Sequence, residues 1–206
     1  MRLLTKSLVF LSLSTSYHAF ADTADVKQSL MNKLKGIHYF SAKFNQTVFD
    51  TDNNVLQQGN GTIVVSKPNK VHWLTTSPEE SLIVSDGETL WLYDPFIEQV
   101  SAFSLERSVA NTPILLLTNE SKDTWDNYQV NEKSNNVYEI LAIDEQSQVK
   151  SLVVSFKGEE ISGLVINDAT GQKSEITLSE NNHTQIPSNE LFTFTVPEGV
   201  LLDDQR

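Results

Sequence analysis

The stretch "TLWLYDPFIEQ", residues 89–99, narrows the possible folds more than any other part of the chain. On an extended strand Leu90 and Leu92 point to one side and Trp91 and Tyr93 to the other. A strand with one wetted face alternates apolar with polar residues, yet here both sides are large and apolar. Such a strand belongs to a sheet that is covered twice. Leu90 and Leu92 are read as the inward pair, with Trp91 and Tyr93 covered from outside by a barrel edge or by the chain end.

The segments around it read the same way. Residues 39–49, 61–67, 70–75 and 80–86 are strand-like and are separated by the turn sequences 50–54, 67–69 and 85–87. A second series follows at 137–144, 149–156, 161–168 and 174–180, with turns at 157–158 and 169–171. Short turns join antiparallel neighbours, so the pattern is two meanders and not a series of β-α-β units.

Two helices are expected beside this sheet. Over 23–35, Val26, Leu30 and Leu34 recur at helical spacing, Asp25 sits in the first turn, Lys33 and Lys35 in the last, and Gly36 ends the run. In "ANTPILLLTNE", Thr112 and Pro113 are good first residues of a short helix. Its Ile114, Leu115, Leu116 and Leu117 are apolar all round, so it has to be covered all round.

The first residues are of another kind. Arg2 and Lys6 precede the apolar run 7–14, and Ala19-Phe20-Ala21 is a small-x-small cleavage sequence, so residues 1–21 are expected to be a cleaved export signal and 22–206 one domain. The whole chain carries 15 Lys+Arg against 27 Asp+Glu; without Arg2 and Lys6 the balance is 13 against 27, or −14. A chain so acidic is a poor ligand for nucleic acid, and an anionic membrane surface repels it. There is no cysteine, so there is no disulfide, and Asp22 stands where a lipid-anchored bacterial protein has its acylated Cys.

The chemistry of enzymes has no foothold in this sequence. His38, His72 and His183 form no metal-binding spacing, and there is no nucleophile elbow or phosphate loop. "DTDNN" at 50–54 places Asp50, Asp52 and Asn54 as a calcium loop does, but Val55 and Gly61 stand where that loop needs Gly and Glu. It reads as a solvated turn. What remains is apolar surface in surplus: Val71 with Trp73, Leu82 with Val84, and Leu152, Val154 and Phe156 each share a strand face. A sheet of about ten strands exceeds what two short helices cover, so these residues form either a dry core or the lining of an apolar space.

The runs "VSDGETLWLYDPFIEQ" (84–99), "NTPILLL" (111–117), "SKPNKVHW" (66–73) and "FTFTVPEGVLLDDQR" (192–206) resemble the outer-membrane lipoprotein carrier family of the periplasm, and they stand in the family's order along the chain. The resemblance implies a mainly β fold, an unclosed antiparallel barrel of about ten or eleven strands under an α-helical lid, enclosing an apolar cavity. It implies a chaperone of the Gram-negative periplasm with acylated lipoproteins as cargo. An inner-membrane ABC transporter would release the cargo and an outer-membrane receptor would take it. No cofactor is implied, and the expected state is a monomer. The alternative is a periplasmic sensor or regulatory module on the same fold.

By this resemblance Leu34, Ile114 and Leu117 belong to the inner face of the lid, and Val71 and Trp73 to the barrel lining. Leu30 and Leu115 join the lid set, and Leu82, Val84, Leu90, Leu92 and Phe156 the lining. Where the family commonly has an Arg that latches the lid to helix carbonyls, this chain has Lys67. Lysine keeps the charge but lacks the planar fork of donors, so the expected latch is looser; otherwise Lys67 is a polar flank of its turn. The ending 197–206 resembles an extension found in part of the family, which there discourages return to the inner membrane.

Overall fold

The computed structural model describes residues 23–109 and 112–206; the expected export signal, 1–21, lies outside them. Helix α1, Thr23–Lys35, leads into six strands in succession: β1 (Tyr39–Phe49), β2 (Val55–Ser66), β3 (Lys70–Ser77), β4 (Ser81–Asp86), β5 (Thr89–Asp94) and β6 (Gln99–Ser104). Three short helices follow, α2 (Leu105–Ser108), α3 (Pro113–Thr118) and α4 (Lys122–Trp125). Then come β7 (Tyr128–Ser134), β8 (Val137–Ala142), β9 (Val149–Lys157), β10 (Glu160–Asp168) and β11 (Lys173–Asn182). A 3₁₀ turn, Asn189–Phe192, and strand β12, Leu201–Gln205, end the chain.

All strands lie in one sheet, in the order β12-β6-β5-β4-β3-β2-β1-β11-β10-β9-β8-β7. The two meanders join where β1 pairs with β11. Because β12 and β7 are both edges, the sheet is unclosed. Among the described residues there are twelve strands where about ten or eleven were expected, and one pairing departs from the antiparallel pattern: β12 runs parallel to β6. The strands not foreseen, at 99–104, 128–134 and 201–205, are polar or short, and lean on a neighbour already in place.

The expected turns form because their residues supply the backbone they need. Asp50 accepts from the N–H groups of Asp52 and Asn54 at 2.9 and 2.8 Å, so "DTDNN" is a self-capped turn. Gly158 and Gly171 take φ of +66° and +87°, values that cost a residue with Cβ. Helix α3 starts at Pro113 as expected, although the Thr112 side chain makes no capping bond.

One face of the sheet carries the core. Phe40, Ala42 and Phe44 of β1, Ile63 and Val65 of β2, and Leu152 and Val154 of β9 are buried together with Leu30 and Leu34 of α1 and the apolar run Ile114–Leu117 of α3. The other face is covered in part by the chain end, where Phe192 is buried and Phe194 lies against Trp91 and Tyr93 with ring centroids 5.5 and 5.7 Å away. The doubly apolar strand thus has both its covers. Leu90 faces the core with Leu92 packed against it, and Trp91 and Tyr93 face the chain end.

Candidate functional site

Strand register decides which residues line the inner face. Val71 and Trp73 pair with Ser85 and Ile83 of β4, which pair in turn with Leu90 and Leu92 of β5, and these with Phe103 and Ser101 of β6. Directly paired residues share a face, so Val71, Trp73, Ile83, Leu90, Leu92 and Phe103 belong to one inward face. Phe44 packs against Trp73 with the rings tilted by 44° and their centroids 4.7 Å apart, at the spot where Gly61 leaves room for the Phe44 ring.

Leu82 and Val84, expected in the lining, are on the opposite face. Val84 pairs with His72 and Trp91, and Leu82 with Leu74 and Tyr93, so both belong to the outer face. The residue that points inward is Ile83. The segment Leu82-Ile83-Val84 is apolar at every position, so alternation within it carries no information; the register against β3 sets its parity. Phe156 does face inward, edge-on to Tyr138 at 6.0 Å and beneath the Lys33 ammonium at 5.4 Å.

The space between sheet and helices is occupied by side chains. Leu30 and Leu115 are 0% exposed, and Ile114, Leu116 and Leu117 at most 5%. Leu116 completes the set, as a helix apolar on every side requires. Trp125 of α4, 1% exposed, was not foreseen as part of this roof. Its indole N–H donates to the Asn119 carbonyl at 2.9 Å and ties the end of α3 to α4. A lone Trp in the polar stretch "SKDTWDNY" is the sequence signal that could have found it.

The two roof helices are held differently. Helix α1 is bonded to the second meander: Lys27 donates to the Tyr128 carbonyl at 3.0 Å, Ser29 and Tyr138 share a hydrogen bond of 3.2 Å, and Lys33 lies 4.0 Å from Glu159. Among the described residues no side-chain hydrogen bond or ion pair joins α3 to a strand. One group bridges the seam between the two helices. Lys67, in the turn between β2 and β3, donates to the Leu34 carbonyl near the end of α1 at 2.7 Å and faces Glu120, just after α3, at 3.4 Å. Its side chain is 8% exposed, and this burial pushes the Lys67 ammonium below its ordinary range, with Glu120 opposing. At position 67 it is thus a lysine that reaches a helix carbonyl, with one donor nitrogen in place of the guanidinium's fork.

On the outer face burial also lowers the pKa of His72. Among the described residues no group of His, Asp and Glu is arranged to hold a metal ion, and no helix is long and apolar enough to cross a membrane. The arrangement can bury an apolar ligand if its side-chain filling moves aside.

Comparison with known proteins gives a consistent result. The family model for the outer membrane lipoprotein carrier protein LolA matches residues 35–195. An outer-membrane lipoprotein carrier protein of Aeromonas salmonicida (strain A449) is 42% identical over 184 residues, covering 89% of this chain and 91% of the relative. One from Serratia proteamaculans (strain 568) is 38% identical over 205 residues, 98% of each chain. Among solved structures, an uncharacterized conserved protein from Thermus thermophilus superposes with a TM-score of 0.51 at 8% identity, over 86% of this chain and 98% of that one. That is a likeness of fold alone.

Proposed function

Because the chain belongs to the outer-membrane lipoprotein carrier family, we propose that the inward face of its sheet, under α1 and α3, holds the acyl chains of a lipoprotein. The protein is a lipoprotein chaperone. The observation that carries the proposed site is the combination of a continuous apolar face with a roof helix, α3, that has no polar bond to a strand among the described residues. Such a helix can leave the sheet without stranding a polar group of a strand, provided that α4 moves with it and keeps the bond from Trp125 to the Asn119 carbonyl. The acyl chains take the place of Ile114–Leu117 against Trp73, Ile83, Leu92 and their neighbours.

The magnitudes favour a reversible exchange. Fully burying one Leu or Ile side chain contributes about 1.5–3 kcal/mol, so exposing four costs about 6–12 kcal/mol. An acyl chain of about fifteen methylenes, at about 0.8 kcal/mol each, gains about 12 kcal/mol on burial. The two nearly cancel, and the net affinity for the first chain is modest. A carrier needs that balance, since it has to give its cargo up. Flexible aliphatic walls also accept chains of different length.

In this reading the mature chain, 22–206, works in the periplasm as one domain. An inner-membrane ABC transporter hands it the cargo, an outer-membrane receptor takes it, and no covalent step occurs. The negative charge suits transit between two anionic surfaces. The test is to incubate the mature protein with spheroplasts and identify what it brings into solution by mass spectrometry. The expected result is a complex with acylated lipoproteins. Recovery of the protein with no acylated partner would sink the proposal, and a bound regulatory protein would favour the sensor reading.

A further inference from the structure

A pocket of about 270 Å³ opens at the seam between α1 and the segment after α3. Its floor, Met31, Leu34 and Trp125, is shared with the core beneath. Its rim is polar: the amides of Gln28 and Asn32 stand on α1, with Lys67 and Glu120 across from them. Ligand pockets commonly measure about 300–1,000 Å³, so this one is too small for several acyl chains. It has the size and the mixed lining for a polar head whose chains go elsewhere.

We infer that this pocket receives the first peptide units that follow the acylated cysteine of the cargo, while the acyl chains pass into the core below; this rests on the carrier reading above. Gln28 and Asn32 each carry a donor and an acceptor, as a peptide bond does. They are exposed, and they already face one another, with Gln28 Nε2 donating to Asn32 Oδ1 at 3.0 Å. The inner wall holds a cation whose side chain is 8% exposed, Lys67, bonded to the Leu34 carbonyl at 2.7 Å. A carbonyl of the incoming peptide or of its ester groups can replace the Leu34 carbonyl as the acceptor for Lys67. Arrival of the head then frees the end of α1 from the latch, and the seam opens where the chains have to enter. The pocket couples recognition of the lipopeptide to opening of the roof.

The test compares two synthetic probes: a triacylated S-glyceryl cysteine methyl ester, and the same lipid extended by an uncharged Ser-Ser-Asn amide. Binding to the mature protein is followed by displacement of a fluorescent acyl probe. The wild type is expected to bind the extended lipid about ten-fold more tightly, the yield of one or two extra hydrogen bonds. In the double variant Gln28→Ala, Asn32→Ala the two affinities become equal, while that for the methyl ester stays unchanged. Alanine at two exposed helix positions keeps α1 folded, and circular dichroism checks this. Equal binding of the two lipids by the wild type would overturn the inference, as would a variant that keeps the preference or loses both lipids together. If the wild type binds neither lipid, the carrier reading fails as well, which separates the two.

Discussion

Lys67→Met cuts the bond between turn and roof while keeping most of the side chain's bulk. The lost interactions are a charge-assisted hydrogen bond to the Leu34 carbonyl, about 1.5–3 kcal/mol, and an ion pair with the exposed Glu120, about 0–1 kcal/mol. Against this stands the desolvation of the ammonium, which is relieved in the variant and which the lowered pKa of Lys67 reports. A net weakening of the closed roof by about 1–2 kcal/mol follows, a factor of about 5–30 in the open population. The assay is hydrogen exchange near neutral pH, read at the amides of Ile37 and Asn119. In the closed form these donate to the Leu34 and Leu116 carbonyls at 2.9 and 3.2 Å. Their protection should fall by that factor while the amides of β1 and β11 keep theirs. Unchanged protection would refute the latch, and increased protection would show that burying the charge outweighs its hydrogen bonds.

Other perturbations separate the parts of the account. Lys67→Arg supplies a planar fork that can reach the Leu34 carbonyl and Glu120 together, so release of a bound acyl probe should slow several-fold; an unchanged rate counts against it. Phe192→Ala empties the outer-face core and should cost about 3–5 kcal/mol in urea unfolding, with acyl-probe affinity kept under native conditions. Loss of affinity without loss of stability would place Phe192 in the wrong layer. Gly61→Ala directs a methyl group onto the Leu74 carbonyl oxygen and the Phe44 ring, and should lower stability by at least about 1–3 kcal/mol; an unchanged melting temperature contradicts the packing. The Arg206 side chain holds the Asp204 carboxyl down to about 2 from 3.8. Asp204 therefore contributes stability that is whole above pH 3.8 and is lost as pH falls through about 2. Arg206 lies over the Trp91 ring at 5.2 Å, so the indole NMR signal of Trp91 should move in that window, and should not do so in Asp204→Asn.

The elements are legible in the sequence wherever period and punctuation agree. The stripe of Val26, Leu30 and Leu34 marks α1, Gly36 marks its end after Lys35, and the all-apolar Ile114–Leu117 announces a helix buried on every side. Parity could not be read at 89–93 from the two apolar faces alone, which call for two covers without saying which pair turns inward; pairing with β4 and β6 turns Leu90 and Leu92 in. At Leu82-Ile83-Val84 it could not either, since every position is apolar and the deciding contact is a register set by another strand. Strands β6, β7 and β12 were hidden for a related reason. Residues such as Gln99, Ser101, Asn131 and Asp203 have no strand signal of their own and are extended because a partner strand is there. Lys67 was legible as a candidate latch by resemblance, but its acceptor and its partner Glu120 lie 33 and 53 residues away and only the fold brings them together.

Cargo acyl chains on the inward face of the sheet are the centre of this account, and two adjacent residues of one strand test it most directly. Leu92 points to the roof helices and Tyr93 to the chain end. A photoreactive benzoylphenylalanine is placed at one or the other, and the protein is loaded from spheroplasts and irradiated. Position 92 should crosslink to lipoprotein acyl chains and position 93 should not. Crosslinking from 93 and none from 92 would put the lipid on the other face and contradict the account.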